Sequence, residues 1–204
     1  MEIKKQKGFT LIEVLVSISV FSMVMTGILD LYMMTSKNQR KMAFMVQVQN
    51  DTRTVLRTIS DRIKLSTVNY GYYGDDLIAD QPVPVLALIA QGSEEVIFTK
   101  CSAEEGSLCG AEVCFDTNNS SPCVGMRIDN GDWEPLTSKD IKADRLDFYI
   151  RPTADPFKFE DGVYLSNTQP NVTVALGLRN VSVAPGLENL LLSQTTVTSR
   201  IYKR

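Results

Sequence analysis

The sequence predicts an α+β fold in which a long N-terminal helix packs on an antiparallel β-sheet head. Three observations lead to this prediction. The 21 residues of Phe9–Leu29 carry a single charge, at Glu13. Apolar residues then recur at helical spacing as far as about residue 65, and short segments separated by turn residues fill residues 66–204. Helices and strands that are segregated along a chain are typical of α+β proteins.

The composition is that of a folded protein and argues against several classes of function. With 44% hydrophobic and 22% charged residues, the chain is not of a disordered or low-complexity type. Its net charge of −3 argues against nucleic acid as the main partner. The chain has no histidine, which removes Ser-His-Asp and Cys-His mechanisms and most zinc sites. We therefore predict no enzymatic activity, no cofactor and no metal.

The first element in order is the apolar segment, which is long enough to cross a membrane. Its 21 residues would cover roughly 31 Å as a helix, about the thickness of a bilayer's hydrocarbon core. Lysines dominate residues 1–8 before it, and a basic end of this kind stays in the cytoplasm. We therefore expect a single-pass inner-membrane protein whose head lies outside the cytoplasm.

Three interpretations of this segment compete: a cleaved secretory signal, an uncleaved anchor, and a segment that is cleaved but keeps its apolar part. The run ends at Met23–Leu29 without the small-residue pattern of a secretory cleavage site. An uncleaved anchor explains the length but not Glu13, because a carboxylate inside an apolar span costs about 2.5 to 3.5 kcal/mol. The alternative for Glu13 is an interfacial or protonated group that does little.

The residues around this glutamate resemble a known processing motif. Lys7–Val16 reads KGFTLIEVLV, which is similar to the prepilin motif of type IV pilins and of the pseudopilins of type II secretion. The resemblance implies that a prepilin peptidase cuts after Gly8 and that the new amino terminus, on Phe9, is methylated. It also implies that Glu13 pairs with the terminal amine of a neighbouring subunit, since a charge in apolar surroundings persists best when paired.

With this motif the chain divides into a cleaved leader (1–8), a membrane and fibre-core helix (9–29), an amphipathic stem helix (30–65) and a head (66–204). The stem has apolar residues three, four and seven apart, at Met45, Val48, Val55, Leu56, Ile59 and Ile63. Because no proline precedes Pro82, we expect one helix over about residues 9–65. The alternative is two helices hinged near Gly27 or residues 36–38, and Gly27 costs about 1 kcal/mol relative to alanine.

Charge separates the stem from the head. Residues 31–65 carry a net charge of +5, whereas residues 66–204 carry −8. Opposite signs favour docking of the head of one subunit on the stem of another. The alternative is that both faces are simply solvated.

The head is predicted to be rich in strands. The candidates are Val96–Lys100, Glu112–Phe115, Gly125–Ile128, Arg145–Ile150, Val172–Leu178 and Gln194–Ile201. Asn130-Gly131 is a strong signal for a tight hairpin turn. Residues 69–76 are expected to be a loop whose tyrosines either pack on the head, the favoured interpretation, or form a contact surface.

The four cysteines are expected to form disulfides, because the head lies outside the inner membrane. They are Cys101, Cys109, Cys114 and Cys123. Their spacing contains no C-x-x-C, which disfavours zinc. Four cysteines allow three pairings. We favour Cys101–Cys109 and Cys114–Cys123, which close short polar loops, although loop length does not settle the choice.

A calcium site is a further alternative in the head. Oxygen-bearing side chains crowd together over Asp129–Glu134. Their spacing departs from that of the EF-hand loop, so a hairpin turn is the favoured interpretation.

Beyond the N-terminal motif, the chain resembles the larger minor pilins and J-type pseudopilins, at Asn50–Lys64 and over the closing segment Gln194–Arg200. The resemblance implies a non-enzymatic building block near the fibre tip that is assembled into a fibre or primes its assembly. Glu13 implies a position beneath or beside the K-type tip subunit, which lacks this glutamate.

The implied partners are prepilin peptidase, other major and minor pilins or pseudopilins, the inner-membrane assembly platform, and membrane lipid before assembly. A type IV pilus and a type II secretion pseudopilus are not separated by these residues. The alternative function is an extracytoplasmic binding or adhesin module on an uncleaved signal anchor, which does not polymerise.

Overall fold

The computed structural model describes residues 8, 10–74, 77–103, 107–110, 113–114, 121–160, 163–164, 168–181 and 190–201. The chain separates into two compact units, Met1–Ala43 and Phe44–Arg204. The predicted α+β class is confirmed, with a long N-terminal helix and antiparallel sheets packed on it. The second unit begins inside the helix, because the last third of the helix is part of the head's core.

Helix α1 spans Leu11–Leu65 without interruption, close to the predicted 9–65. The two-helix alternative is not what the structure adopts, since α1 continues through Gly27 and through residues 36–38. A Cβ added at Gly27 would meet nothing within 4 Å, so packing within this chain does not require glycine there. The last turn carries Arg62 and Lys64, whose charges suit the negative end of the helix dipole.

The C-terminal part of α1 buries one face in the head. The buried residues on this face are Val48, Thr52, Val55, Ile59 and Ile63, spaced three or four apart as an amphipathic helix requires. Thr52 is the polar member, and its hydroxyl donates to the carbonyl of Val48 at 2.7 Å. The predicted core positions are confirmed there, whereas Met45 is exposed.

The first sheet has five antiparallel strands in the order β1-β2-β3-β4-β5. They are β1 (Ser66–Val68), β2 (Val85–Ala90), β3 (Glu95–Cys101), β4 (Cys123–Ile128) and β5 (Glu134–Pro135). A short helix, α2 (Tyr70–Tyr73), follows β1. Neighbouring strands in this sheet are also neighbours in sequence, as in a meander.

The second sheet has three antiparallel strands in the order β10-β9-β6. They are β6 (Ile141–Arg151), β9 (Asn171–Asn180) and β10 (Leu190–Thr198). A separate hairpin consists of β7 (Phe159–Glu160) and β8 (Val163–Tyr164). The sequence indicated a single sheet, whereas the structure has two larger ones, which meet α1 in a common core.

Five of the six strand predictions are confirmed, at β3, β4, β6, β9 and β10. The prediction over Glu112–Phe115 is wrong at its centre, because Val113 and Cys114 belong to no strand. Cys114 is tied to Cys123 by a disulfide, and this constraint overrides the strand propensity of the segment. Glu112 and Phe115 lie outside the described residues. Strands β1 and β2 were not predicted.

Tyr73 completes the edge of β2 where β1 stops. Strand β1 pairs with β2 only as far as Val68 opposite Leu88. Beyond that point the hydroxyl of Tyr73 accepts from the N–H of Ala87 at 2.8 Å and donates to the carbonyl of Val85 at 3.1 Å. Burial raises the pKa of this phenol further above neutral pH.

The other tyrosines of this segment fit the packing interpretation in part. Residues 70–73 form helix α2 instead of the expected loop, and the Tyr70 hydroxyl donates to the carbonyl of Pro152 at 3.0 Å. Tyr72 is 41% exposed. Asp75 and Asp76 lie outside the described residues.

We predict that Tyr73→Phe lowers the free energy of unfolding by about 1 to 3 kcal/mol, because it leaves a buried N–H without a partner. Tyr72→Phe is the matched control and should change little, since that ring is partly exposed. Equilibrium unfolding in urea, followed by the fluorescence of the single tryptophan, measures both. Equal midpoints for the two variants would contradict the edge-completing role.

Candidate processing and assembly site

Gly8 lies just ahead of α1 and is exposed. A Cβ built on it would meet no atom of the described residues within 4 Å. The carbonyl of Thr10 accepts the first hydrogen bonds of the helix, from the N–H groups of Glu13 at 3.1 Å and Val14 at 3.3 Å. Phe9, the predicted methylation site, lies outside the described residues.

Glu13 lies in the first turn of α1. A carboxylate is favoured there because the free N–H groups make this end of a helix partly positive. The side chain is exposed, and within the described part of the chain it has no ion pair. The dipole therefore favours its position but does not neutralise it, and a cation from another molecule can reach it.

The side chains that follow are mostly apolar and uncharged as far as Leu29. Residues 11–35 are all exposed, including Leu11 at 81% and Met23 at 79%. An exposed apolar surface of this extent marks contact with lipid or with another protein. Of the helices in the described residues, α1 is the one that is long and apolar enough to cross a membrane. Core helices of soluble proteins and signal sequences pass the same test.

Three hydroxyl groups within the apolar segment donate to carbonyls of the helix itself. Ser17 donates to the carbonyl of Glu13 at 2.7 Å, and Ser19 donates to that of Leu15 at 2.8 Å. The Thr26 hydroxyl donates to the carbonyl of Met23 at 2.9 Å. Since unpaired polar groups are costly in hydrocarbon, these bonds make the segment suitable for a lipid environment.

The cysteines form a second distinctive cluster, in the head. Disulfides join Cys101 to Cys109 and Cys114 to Cys123, with Cα–Cα distances of 4.9 and 5.6 Å. These are the pairs that short loops favoured. The sulfurs of Cys101, Cys114 and Cys123 lie within 4.8 Å of one another, but as disulfide sulfurs they are not the thiolates that bind zinc.

Gly125 allows the disulfide Cys101–Cys109 to lie against β4. A Cβ on Gly125 would lie 2.3 Å from the Cys101 Sγ and 3.3 Å from the Trp133 ring. The indole packs against the cysteine cluster, and Arg127 sits over it with 4.9 Å between the guanidinium carbon and the ring centroid. Sequence reasoning missed this role, although a glycine inside a strand is a signal of close approach.

The segment Asp129–Glu134, the alternative calcium site, contains the hairpin loop between β4 and β5. The Asp129 carboxylate accepts from the N–H of Glu95 at 2.6 Å, and the Asp129 N–H donates to the carbonyl of Glu95 at 2.6 Å. The backbone of Asp129 has a positive φ of 49°, which aspartate tolerates in tight turns. This carboxylate therefore ties the turn after β4 to the start of β3.

A family model described as the prokaryotic N-terminal methylation motif matches residues 3–29. No curated protein and no solved structure gives a significant match to this chain. The matched residues contain the predicted cleavage site, Glu13 and the apolar segment. The match supports a type IV pilin-like protein that is processed by a prepilin peptidase and anchored through its apolar helix, and it does not extend to the head.

We predict that Gly125→Ala lowers the free energy of unfolding by roughly 1 to 3 kcal/mol, because the added methyl overlaps a disulfide sulfur. Gly71→Ala is the control, since its Cβ would meet its nearest neighbour at 3.4 Å, an ordinary contact. Urea unfolding of both variants measures the difference, and a thiol assay in denaturant reports whether the disulfides form. An unchanged midpoint for Gly125→Ala would contradict the proposed close packing.

Proposed function

We propose that this chain is a minor pilin or pseudopilin, a structural subunit that is incorporated into a type IV pilus or type II secretion pseudopilus or primes its assembly. The observation that carries the proposal is the methylation motif at residues 3–29, which continues into a helix whose apolar side chains are exposed.

Processing would take place at Gly8. The residue is exposed and precedes the helix, and a protease binds extended chain more readily than helical chain because it must reach the scissile carbonyl. The absence of a Cβ lets the enzyme's active site approach the backbone closely. Cleavage after Gly8 by prepilin peptidase would remove the basic leader and leave Phe9 as the methylated amino terminus.

Assembly would depend on Glu13. In lipid or in a fibre core, an unpaired carboxylate is costly, whereas a carboxylate paired with an amine is tolerated. The new amino terminus on Phe9 of a neighbouring subunit is a cation that lies at a similar depth. Pairing would therefore set the axial position of each incoming subunit, and the apolar side chains of α1 would provide the contact area.

The head would stay outside the cytoplasm, where its two disulfides are stable. The subunit would begin in the inner membrane, held by lipid around residues 9–29, and would pass to the fibre through the assembly platform. There the stem, with a net charge of +5, could dock on the head of a neighbour, with −8.

An anchored binding module that does not polymerise could use the same apolar span and head. Such a module would require neither a glycine at position 8 nor a carboxylate at position 13. The two functions therefore differ in what the amino terminus is and in what Glu13 does, and both can be measured.

We predict that Gly8→Ala blocks cleavage and leaves a full-length membrane-bound chain. Gly27→Ala is the matched control and should be processed normally, because a Cβ there meets no neighbour. Intact-mass and N-terminal peptide mass spectrometry on native membranes distinguish the forms. A wild-type chain that still begins at Met1 would support the anchored module instead.

We predict that Glu13→Ala leaves cleavage intact but lowers incorporation into fibres by about tenfold or more, since 1.4 kcal/mol is a factor of ten and breaking a buried pair costs more than that. Glu13→Gln, which keeps the shape and removes the charge, should behave like Glu13→Ala. Quantification of the subunit in sheared fibres and in membranes measures the effect. Wild-type incorporation of both variants would rule out charge pairing.

A further inference from the structure

Strand β10 is an edge of the second sheet, and no other described strand pairs with its outer side. It occupies the end of the order β10-β9-β6, and its nine residues, Leu190–Thr198, include no charge, proline or glycine. Its pairing with β9 is continuous, without a bulge. Proteins normally protect edge strands with charges, prolines or bulges, because a plain edge pairs with other chains. The absence of all three indicates that pairing is used here.

Hydrogen bonding along β10 shows which backbone groups point outward. The N–H of Ser199, opposite Pro170, donates inward to the carbonyl of that residue at 3.0 Å. Since such pairs alternate in an antiparallel ladder, the odd-numbered residues of β10 face β9 and the even-numbered ones face away. The Arg200 N–H, which donates outward to Lys64 at 3.2 Å, agrees with this alternation.

The close side-chain contact of Thr196 with Thr173 also fits the alternation. The two residues are register partners, and their hydroxyl oxygens lie 2.8 Å apart, as in the closer, non-hydrogen-bonded pairs of an antiparallel ladder. The N–H and C=O groups of the even-numbered residues from 190 to 198 therefore point to the outer edge. They have no hydrogen bond to any other described residue.

A groove of about 450 Å³ runs beside this edge. Ser60 and Lys64 of α1 form one wall, and the segment Thr195–Arg200 forms the other. The bond from Arg200 to the Lys64 carbonyl closes one end. The groove is therefore bounded by a helix and an open strand edge, which suits an extended segment.

The rim of the groove favours an acidic occupant. Lys64 lies 3.4 Å from its helix neighbour Asp61, and Arg57 also pairs with that aspartate, at 3.7 Å. Arg200 adds a further exposed cation, and the strand itself contributes no charge. The Nε2 of Gln169, another lining residue, is a buried donor without a partner among the described residues. Arg57, Lys64 and Arg200 against Asp61 leave two net positive charges beside this surface.

We propose that β10 binds an extended, acidic segment of a partner protein, which adds to the second sheet as an antiparallel or parallel strand. Backbone bonds to the even-numbered residues would provide the affinity, and Lys64 and Arg200 would select acidic over basic side chains. This surface lies on the head and does not depend on cleavage, methylation or Glu13. Failure of the proposed fibre function would leave the proposal unaffected.

The test uses the full-length chain in detergent micelles and fluorescein-labelled octapeptides of alternating threonine and glutamate, or threonine and lysine. Fluorescence polarisation should show binding of the acidic peptide and at least tenfold weaker binding of the basic one. Thr196→Pro removes an outward N–H and no backbone bond to β9, although it also removes the hydroxyl contact with Thr173; it should weaken binding about tenfold. Thr196→Ala, which keeps that N–H, is the matched control and should bind like the wild type.

Two further measurements keep the result interpretable if Thr196→Pro does not fold. The acidic peptide with every backbone nitrogen methylated can donate along neither of its edges, and it should not bind wild-type protein. The double variant Lys64→Glu with Arg200→Glu should lose the preference for the acidic peptide. Equal affinity for both peptides, or binding of the methylated peptide, would overturn the proposal. A dimer of this chain that Thr196→Pro abolishes, without peptide binding, would assign the edge to a second copy instead.

Discussion

Burial of one face of α1 in a core that both sheets share organises the head. Val55 and Ile59 are fully buried, and with the fully buried Phe98 and Phe148 they belong to a single core to which both sheets contribute. Each sheet has an apolar inner face that has to be covered. The helix covers both, so the two sheets depend on it, and the compact unit begins within α1 at Phe44.

This arrangement leaves backbone groups to be satisfied where elements end. Tyr73 supplies the missing partner at the edge of β2. Near the end of the described chain, the Ser199 hydroxyl donates to the carbonyl of Ser66 at 2.7 Å and the Arg200 N–H to that of Lys64. Buried polar groups are costly when unpaired, so these hydrogen bonds hold the ends of α1, β1 and β10 in place.

Helix α1 is continuous, but its two halves are suited to different environments. In the apolar half, the hydroxyls of Ser17 and Ser19 donate to carbonyls of the same helix. Such internal hydrogen bonds are needed in lipid or in a fibre core, because no water is present there to replace them. In the head half, the buried face is apolar except for Thr52. Glu13 is the exception in the apolar half, and its exposed carboxylate is the feature that the proposed assembly uses.

Much of this protein follows from its sequence, because the relevant forces are local. The length of the apolar segment and the helical spacing of apolar residues after it predict α1. Alternation of apolar and polar residues predicts the long strands of the second sheet. A short sequence motif predicts the candidate processing site at Gly8. The short loops between neighbouring cysteines also favoured the two disulfide pairs that the structure contains.

The tertiary structure decided the remainder, because it depends on residues far apart in the chain. It placed Tyr73 beside β2, brought Cys101 against Gly125, and turned Val113 and Cys114 away from a strand by a disulfide to β4. It also left β10 at an edge with a basic groove beside it. Strand order and sheet edges are set by long-range pairing, which a pattern of alternating residues does not encode.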